Sequence, residues 1–420
     1  MATNKDASHF ARRSFIKDGG LMIAGGAIGT SISAPDTAAA KTPNTSSTLE
    51  PIRIGFYGCG RRAKELADAA LGQSQVSAVV TGLADRFGSQ TQSMFRMLKG
   101  RHASAVAPNC VRASGPECLD ELLQSDTQAV YVATPPVDRA QVVRQLIGAG
   151  KHVFLEKPLG SDLADVLSMS PLAAQAQRQG LTVFAGLQRR YDQRLVETIG
   201  QLHAGLIGEP VFAKAYCNGG PLRKRSNQAS ESDEDYRLKN WNHFLAAGGD
   251  FLVEQHVAGL DVVHWALGRT PIAAQGQGGW SESRTEQQVA QTEVFDHQTV
   301  EFDFGDVTLL SQCRRVSKGW NAVGESIHCT EGTLDLAAGK AYRRNGDLIW
   351  ESHVQSTPKA NTEAQQIAFL NSIAEGDARI EIEQAAQSTL IALLGQQATL
   401  SKRRIRMDKM LEQAIAAMTA

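Results

Sequence analysis

The sequence predicts an α/β chain in two parts: an N-terminal doubly wound parallel sheet, then a C-terminal α+β domain built on a large, open, mixed or antiparallel sheet. Three observations predict it. Short apolar runs alternate with helix-length segments from residue 51 to about 190, the texture of parallel strands covered on both faces. The first run ends in a glycine turn that opens a helix, Gly58-Cys59-Gly60-Arg61-Arg62-Ala63. Beyond about residue 205, period-2 segments separated by turn residues replace the alternation, as antiparallel strands require.

In the first part, strands are expected at "PIRIGFYGCG" (51–60), "VSAVVTGLAD" (76–85), "AVYVATPP" (129–136), "HVFLEKP" (152–158) and "LTVFAGLQRR" (181–190). Helices are expected between them, notably "RRAKELADAALG" (61–72) and "VDRAQVVRQLIGAG" (137–150). In the second part, "QTVEFDFGDVTLLSQC" reads as a hairpin with Gly305-Asp306 at its turn, and "GTLDLAAGKAYRRNGDLIW" as another turning at Asn345-Gly346. The segments 362–376 and 383–400 have helical spacing. The expected boundaries are a flexible leader at 41–50, a first domain at 51–180, a second at 181–400 and a tail at 401–420.

With 43 Lys plus Arg against 44 Asp plus Glu, no net field draws the chain to nucleic acid or an anionic membrane, and a small neutral partner is expected. The six cysteines show no CxxC or CxxH metal spacing, so no metal site is expected. Arg12-Arg13-Ser14-Phe15-Ile16-Lys17 precedes an apolar, Gly-rich segment and a small-x-small pattern at Ala38 and Ala40. Residues 1–40 thus resemble a twin-arginine export signal. That resemblance implies folding before export, passage through the twin-arginine machinery and a periplasmic or other extracytoplasmic destination.

The glycine turn carries chemistry. A G-x-G-x-x-A between strand and helix brings backbone N–H groups and a helix N-terminus to a pyrophosphate, and its last small residue lets helix and strand pack closely. Gly58, Cys59, Gly60, Arg61 and Arg62 are therefore candidate cofactor contacts. Asp85 ends the second strand 25 residues past Gly60, near the place for a carboxylate on the adenosine ribose. It favours NAD, whereas Arg61, Arg62 and Arg86 are cations that would accommodate the 2′-phosphate of NADP.

Ligands of a doubly wound sheet bind beyond the carboxyl ends of its strands. Glu156 and Lys157 follow the fourth apolar run at that edge. A lysine there is suited to donate hydrogen bonds to a substrate oxygen and to transfer a proton. Gln188, Arg189, Arg190 and Tyr191 follow the next run at the same edge.

Together "GFYGCGRRA", "AVYVATPP", "AGKHVFLEKPLG" and "GLQRRYD" resemble the glucose-fructose oxidoreductase, inositol dehydrogenase and MocA family, over about residues 51 to 400. The resemblance implies a first domain of the Rossmann type. It implies a second domain with an open sheet that forms dimers or tetramers. It makes Lys157 an active-site residue, with a Lys-Pro bond that is often cis, and puts Thr134-Pro135-Pro136 beside the cofactor. Cofactor or substrate contacts are implied for Glu156, Gln188 and Arg189. The family's usual D-x-x-x-H falls on "GGDFLVEQHVAGLDVVHW", with Glu254 at the Asp position and Ala258 at the His position. The customary histidine is absent. Either Glu254 and His256 rebuild a proton relay around an irregular helix start, or dehydrogenase chemistry is lost; His256 reads equally as a buried structural histidine.

Tyr191, Asn218, Trp241, His243 and Asp261 complete the candidates as substrate contacts, combining amide, imidazole and aromatic groups that suit sugar hydroxyls and ring faces. The expected activity is hydride transfer between a tightly held NAD, or NADP, and a sugar, cyclitol or related polyol. Lys157, with Glu254 or His256, would handle the hydroxyl proton. Two alternatives stand: a glycosidase or lyase working by transient oxidation, and an exported sugar-binding or scaffold protein without turnover.

Overall fold

The structure, a computed structural model, describes residues 50–226, 231–282 and 292–419. The expected export signal lies outside the described residues. Six parallel strands form the first sheet: β1 (Ile52–Tyr57), β2 (Ala78–Asp85), β3 (Val106–Ser114), β4 (Ala129–Val132), β5 (His152–Leu155) and β6 (Val183–Ala185). Their order is β3-β2-β1-β4-β5-β6, so the crossovers reverse direction between β1 and β4, where a doubly wound sheet opens a ligand crevice.

Strand side chains alternate between two cores. Val130, Val132, Val153 and Leu155 face helices Cys118–Gln124, Arg139–Gly148 and Met169–Arg178. Ile54, Phe56, Tyr131, Phe154 and Phe184 face helices Arg61–Gly72 and Gly88–Arg101. Two helices do not cover that aromatic stripe. Helix Pro358–Ala374 returns from far along the chain to do so, setting Phe369 edge-on to Tyr131 and Phe154, both at 5.5 Å between ring centroids.

Three expected boundaries change. β6 pairs in parallel with β5, so the first sheet runs through residue 185 rather than stopping at 180. Helix Pro358–Ala374, assigned by sequence to the second domain, packs on the first. The expected tail at 401–420 is folded: β15 (Ile405–Arg406) pairs with β8, and helix Met407–Thr419 buries Met407, Met410 and Leu411. β3 was absent from the predicted strands because it lies at the sheet edge, largely exposed, with Pro108 and Asn109 interrupting any apolar run.

The second sheet has nine strands in the order β14-β13-β12-β11-β7-β10-β9-β8-β15. They are β7 (Pro210–Gly219), β8 (Ala273–Gly279), β9 (His297–Asp303), β10 (Thr308–Arg315), β11 (Ala322–Cys329), β12 (Gly332–Asp335), β13 (Lys340–Arg343) and β14 (Leu348–Glu351), with β15. β7 and β10 are parallel and the other pairings antiparallel. Both predicted hairpins form. Ala213, Ala215, Phe302 and Leu309 face helices Val257–Leu267 and Ile382–Ser401, while Lys214, Glu301 and Leu310 stand exposed on the other face. Among the described residues no helix is long and apolar enough to cross a membrane.

Because Phe369 is fully buried among four aromatic strand residues, Phe369→Ala is expected to lower stability by about 3–5 kcal/mol. The midpoint of urea unfolding measures this; a shift near zero would show that the returning helix does not seal the sheet.

Candidate active site at the junction of the two sheets

The glycine turn is forced by close approach. Gly58 has φ +88°, and a Cβ there would stand 2.7 Å from the carbonyl carbon of Ala133, so a side chain fits neither the backbone nor the space. Cys59 N donates to Asp85 Oδ2 at 2.7 Å and Phe87 N to Asp85 Oδ1 at 2.8 Å. Asp85 therefore ties the turn to the tip of β2 while standing at the ribose position. Burial pushes its pKa up, and those two backbone donors oppose the shift.

Helix Arg61–Gly72 begins at Gly60 with no side-chain cap, and a Cβ on Gly60 would meet nothing within 4 Å. The first-turn N–H groups are thus available to an anion. An open glycine, uncapped helical N–H groups and a carboxylate at the next strand tip fit a nicotinamide dinucleotide.

A cavity of about 640 Å³ opens beside this turn, between the carboxyl edge of the first sheet and helix Val257–Leu267. Its first-domain wall includes Arg61, Arg62, Thr134, Glu156, Lys157 and Gln188; Arg189, Trp241, Glu254, His256 and Asp261 continue it. Pro136 lines it, whereas Pro135 does not. The Lys157–Pro158 bond is cis. Arg62 is directed across the cavity rather than toward a phosphate, since its Nε donates to Glu156 Oε1 at 2.7 Å and its Nη2 to Gln188 Oε1 at 2.8 Å. Gln188 Oε1 also accepts from the Thr362 hydroxyl at 2.8 Å.

The irregular helix start is real: Leu252–His256 form a π-helical turn ahead of helix Val257–Leu267. Such turns pack one extra residue per turn and reorient the side chains that follow. Here the turn points the Glu254 carbonyl at Lys157, whose Nζ donates to it at 2.5 Å. The Glu254 carboxylate accepts from Arg315 Nη2 at 2.9 Å. His256 is buried, with Nε2 3.0 Å from the Ser311 hydroxyl, and Nδ1 has no hydrogen-bond partner among the described residues. Burial, reinforced by the Arg189 charge, pulls its pKa down to about 3, so it is a neutral imidazole at physiological pH. Ala258 lines the cavity and brings no titratable group.

Several predicted contacts are already engaged. Arg189 binds Glu325 through two bonds of 2.6 Å. Asp261 accepts from Arg190 at 2.8 Å and from the Ser388 hydroxyl at 2.6 Å, which makes it an anchor in the cavity wall rather than an open substrate contact. Tyr191 is directed away from the cavity and donates to Glu381, a carboxyl that burial pushes up to about 7. Asn218 and His243 are buried and do not line the cavity. Sequence reasoning missed Arg139, Asp192, Arg194, Ser356 and Asn361, all on the cavity wall. Asp192 closes the GLQRRYD motif and Arg194 follows it, Arg139 starts the helix after the β4 tip, and only Ser356 and Asn361 come from a distant segment. Among the described residues no His, Cys, Asp and Glu cluster could hold a metal ion.

Residues 52–185 match the model of an oxidoreductase family with an NAD-binding Rossmann fold, GFO_IDH_MocA. Over these residues the chain is similar to the Gfo/Idh/MocA oxidoreductases. Among similar curated proteins, an inositol 2-dehydrogenase of Gluconacetobacter diazotrophicus is 35% identical over 27% of this chain and 33% of its own. A dTDP-3,4-didehydro-2,6-dideoxy-alpha-D-glucose 3-reductase of Actinomadura kijaniata is 28% identical over 39% of this chain and 44% of its own. An uncharacterised oxidoreductase of Bacillus subtilis is 23% identical over 48% of this chain and 53% of its own. The chain thus aligns with about half or less of these relatives' length.

Solved structures extend the likeness of fold to both sheets. Myo-inositol 2-dehydrogenase from Lactobacillus plantarum superposes with a TM-score of 0.65 at 17% identity, covering 85% of this chain and 99% of that one. A scyllo-inositol dehydrogenase from Lactobacillus casei, with bound NAD(H) and scyllo-inositol, gives a TM-score of 0.63 at 19% identity, covering 86% of this chain and 100% of that one.

The state of His256 has a measurable consequence. Its folded pKa lies below the unfolded value, so between about pH 6.5 and 3 the unfolded chain binds the proton that the folded chain refuses, and stability falls as pH falls. His256→Gln, which keeps a partner for Ser311, is expected to lessen the stability lost between pH 6.5 and 4.5 by about 2–3 kcal/mol. Urea unfolding at the two pH values checks it; an equal loss in both proteins would mean His256 is not held neutral.

Proposed function

We propose that this chain is an NAD(P)-dependent oxidoreductase acting on a CH–OH group of a sugar, cyclitol or related polyol. The observation that carries this reading is Lys157: its ammonium stands on the cavity wall at the carboxyl edge of the first sheet, held by a backbone carbonyl, with no carboxylate ion pair recorded among the described residues. A nicotinamide cofactor held by the glycine turn and Asp85 would supply the hydride acceptor or donor. The protein's own groups deal with the proton. In reduction the Lys157 ammonium donates a proton to the carbonyl oxygen, and in oxidation the neutral Lys157 amine accepts the hydroxyl proton, while the Glu254 carbonyl keeps Nζ aimed. Arg315 anchors the Glu254 carboxylate beside it, and neutral His256 braces the wall through the Ser311 hydroxyl. The tight Arg189–Glu325 and Arg190–Asp261 pairs keep the remaining wall polar without a free charge, which suits a neutral polyol.

Lys157→Ala is expected to leave cofactor binding within about threefold and lower turnover by about 100-fold or more, because the lost group acts in the transition state. A panel of polyols and sugars followed at nicotinamide absorbance tests reading and residue together. Normal turnover in the variant removes Lys157 from the mechanism. Glycoside cleavage without net NADH, or sugar binding with no turnover in the unmodified protein, overturns the dehydrogenase reading.

We further propose that the chain is exported by the twin-arginine route with its cofactor already bound, and that it assembles through the open face of the second sheet. An exported enzyme has no dependable nicotinamide pool, so it has to keep its cofactor and reoxidise it in place. Retention through purification implies a dissociation constant of roughly 10⁻⁸ M, near −11 kcal/mol. Denaturing the purified protein and measuring released NAD(P) should recover close to one nucleotide per chain; a value near zero with fast exchange of added NAD would overturn retention.

A further inference from the structure

Discrimination between NAD and NADP turns on the 2′ position of the adenosine ribose, which in a doubly wound sheet lies at the tip of β2. Here that tip is Asp85, and the following residue, Arg86, is the cation placed to neutralise a 2′-phosphate. Arg86 is already engaged. Its Nε donates to Asp235 Oδ1 at 2.6 Å and its Nη1 to Glu234 Oε1 at 2.8 Å. Both carboxylates come from helix Asp233–Lys239, which follows β7, the first strand of the second sheet.

The contact is built rather than incidental. Ser232 caps that helix by accepting from Asp235 N at 3.1 Å, which fixes Asp235 in the first turn. At the other end of the helix the Lys239 ammonium lies 4.9 Å from the centroid of the Phe87 ring, over the residue whose N–H is bound by Asp85. The Arg86 guanidinium holds the Asp235 carboxyl below the usual range, so the carboxylate is charged at neutral pH. The other cations of the glycine turn have partners elsewhere: Arg61 pairs with Glu65, Arg62 with Glu156, and Lys64 with the Ser93 hydroxyl. Two carboxylates, Glu234 and Asp235, thus bind the one guanidinium at the β2 tip, next to Asp85, which is held by backbone N–H groups.

Resting on the cofactor reading above, we propose that Glu234 and Asp235 are specificity-determining residues for the dinucleotide. By occupying Arg86 and adding two negative charges, they make the site accept a free 2′-hydroxyl and repel a 2′-phosphate. The second domain, not the glycine-turn domain alone, then sets the preference for NAD.

The test is isothermal titration of NAD⁺ and NADP⁺ into full-length protein freed of co-purified nucleotide, and into the Glu234→Gln/Asp235→Asn double variant. The variant is expected to bind NADP⁺ about tenfold more tightly than the unmodified protein, because Arg86 is released and two repulsive charges are gone. Its affinity for NAD⁺ should stay within about twofold. Adding Arg86→Gln to the double variant should reverse the gain. An unchanged NADP⁺/NAD⁺ ratio, or a parallel change for both nucleotides, overturns the proposal and makes the contact a plain tether. If the unmodified protein binds neither nucleotide, the cofactor reading falls and the proposal falls with it.

Discussion

A buried guanidinium holds the turn that carries Lys157. Arg139, the first residue of helix Arg139–Gly148, donates to the backbone carbonyls of Thr134, Glu156 and Pro158. It thereby joins the turn after β4 to the turn after β5. Burial pulls its pKa down to about 10, so it keeps its charge at neutral pH, and carbonyl dipoles solvate it. Asp165 accepts from the N–H groups of Arg139 and Ala140, at 3.1 and 3.4 Å, and so holds the helix start that aims the guanidinium. Without the cation three inward carbonyls would lack donors, and the loop presenting Glu156 and Lys157 would have no fixed path.

The second constraint is the run Gln188–Tyr191 directly after β6. Its four side chains reach five separate parts of the fold: Gln188 to Arg62 and Thr362, Arg189 to Glu325, Arg190 to Asp261, Tyr191 to Glu381. Buried ion pairs of this kind gain little net stability against desolvation, yet breaking one partner is costly. Their effect is to specify how the second sheet and its helices meet the first. The cavity is the gap left between surfaces registered in this way, and the π-helical turn at Leu252–His256 closes it over Lys157.

Much of this was legible in the sequence for identifiable reasons. A strand buried on both faces has to be apolar throughout, so β1, β2, β4, β5 and β6 declare themselves. A turn approached by backbone at 2.7 Å admits only glycine, so Gly58 does too. The strand tips of a doubly wound sheet face the crevice whatever follows, which places Lys157, Glu156 and Asp85. Edge strand β3 was hidden because half-exposed edges carry no continuous apolar signal. Tyr191, Asn218 and His243 were misplaced because residue type says that a polar group needs a partner and not which partner it finds.

The sequence by itself determined the local geometry: two sheet types, the glycine turn and the tip lysine. Each of these depends on contacts within a strand, a turn or a single βαβ unit. The tertiary structure alone decided what most of these charges do, because that depends on groups far apart in sequence, from 61 residues for Arg315 and Glu254 to 149 for Arg86 and Asp235. It turned Arg86 toward Glu234 and Asp235, set Arg189 against Glu325, brought Phe369 back over the first sheet and left His256 neutral. An electrostatic role is fixed by distance and burial, and neither is a property of sequence spacing.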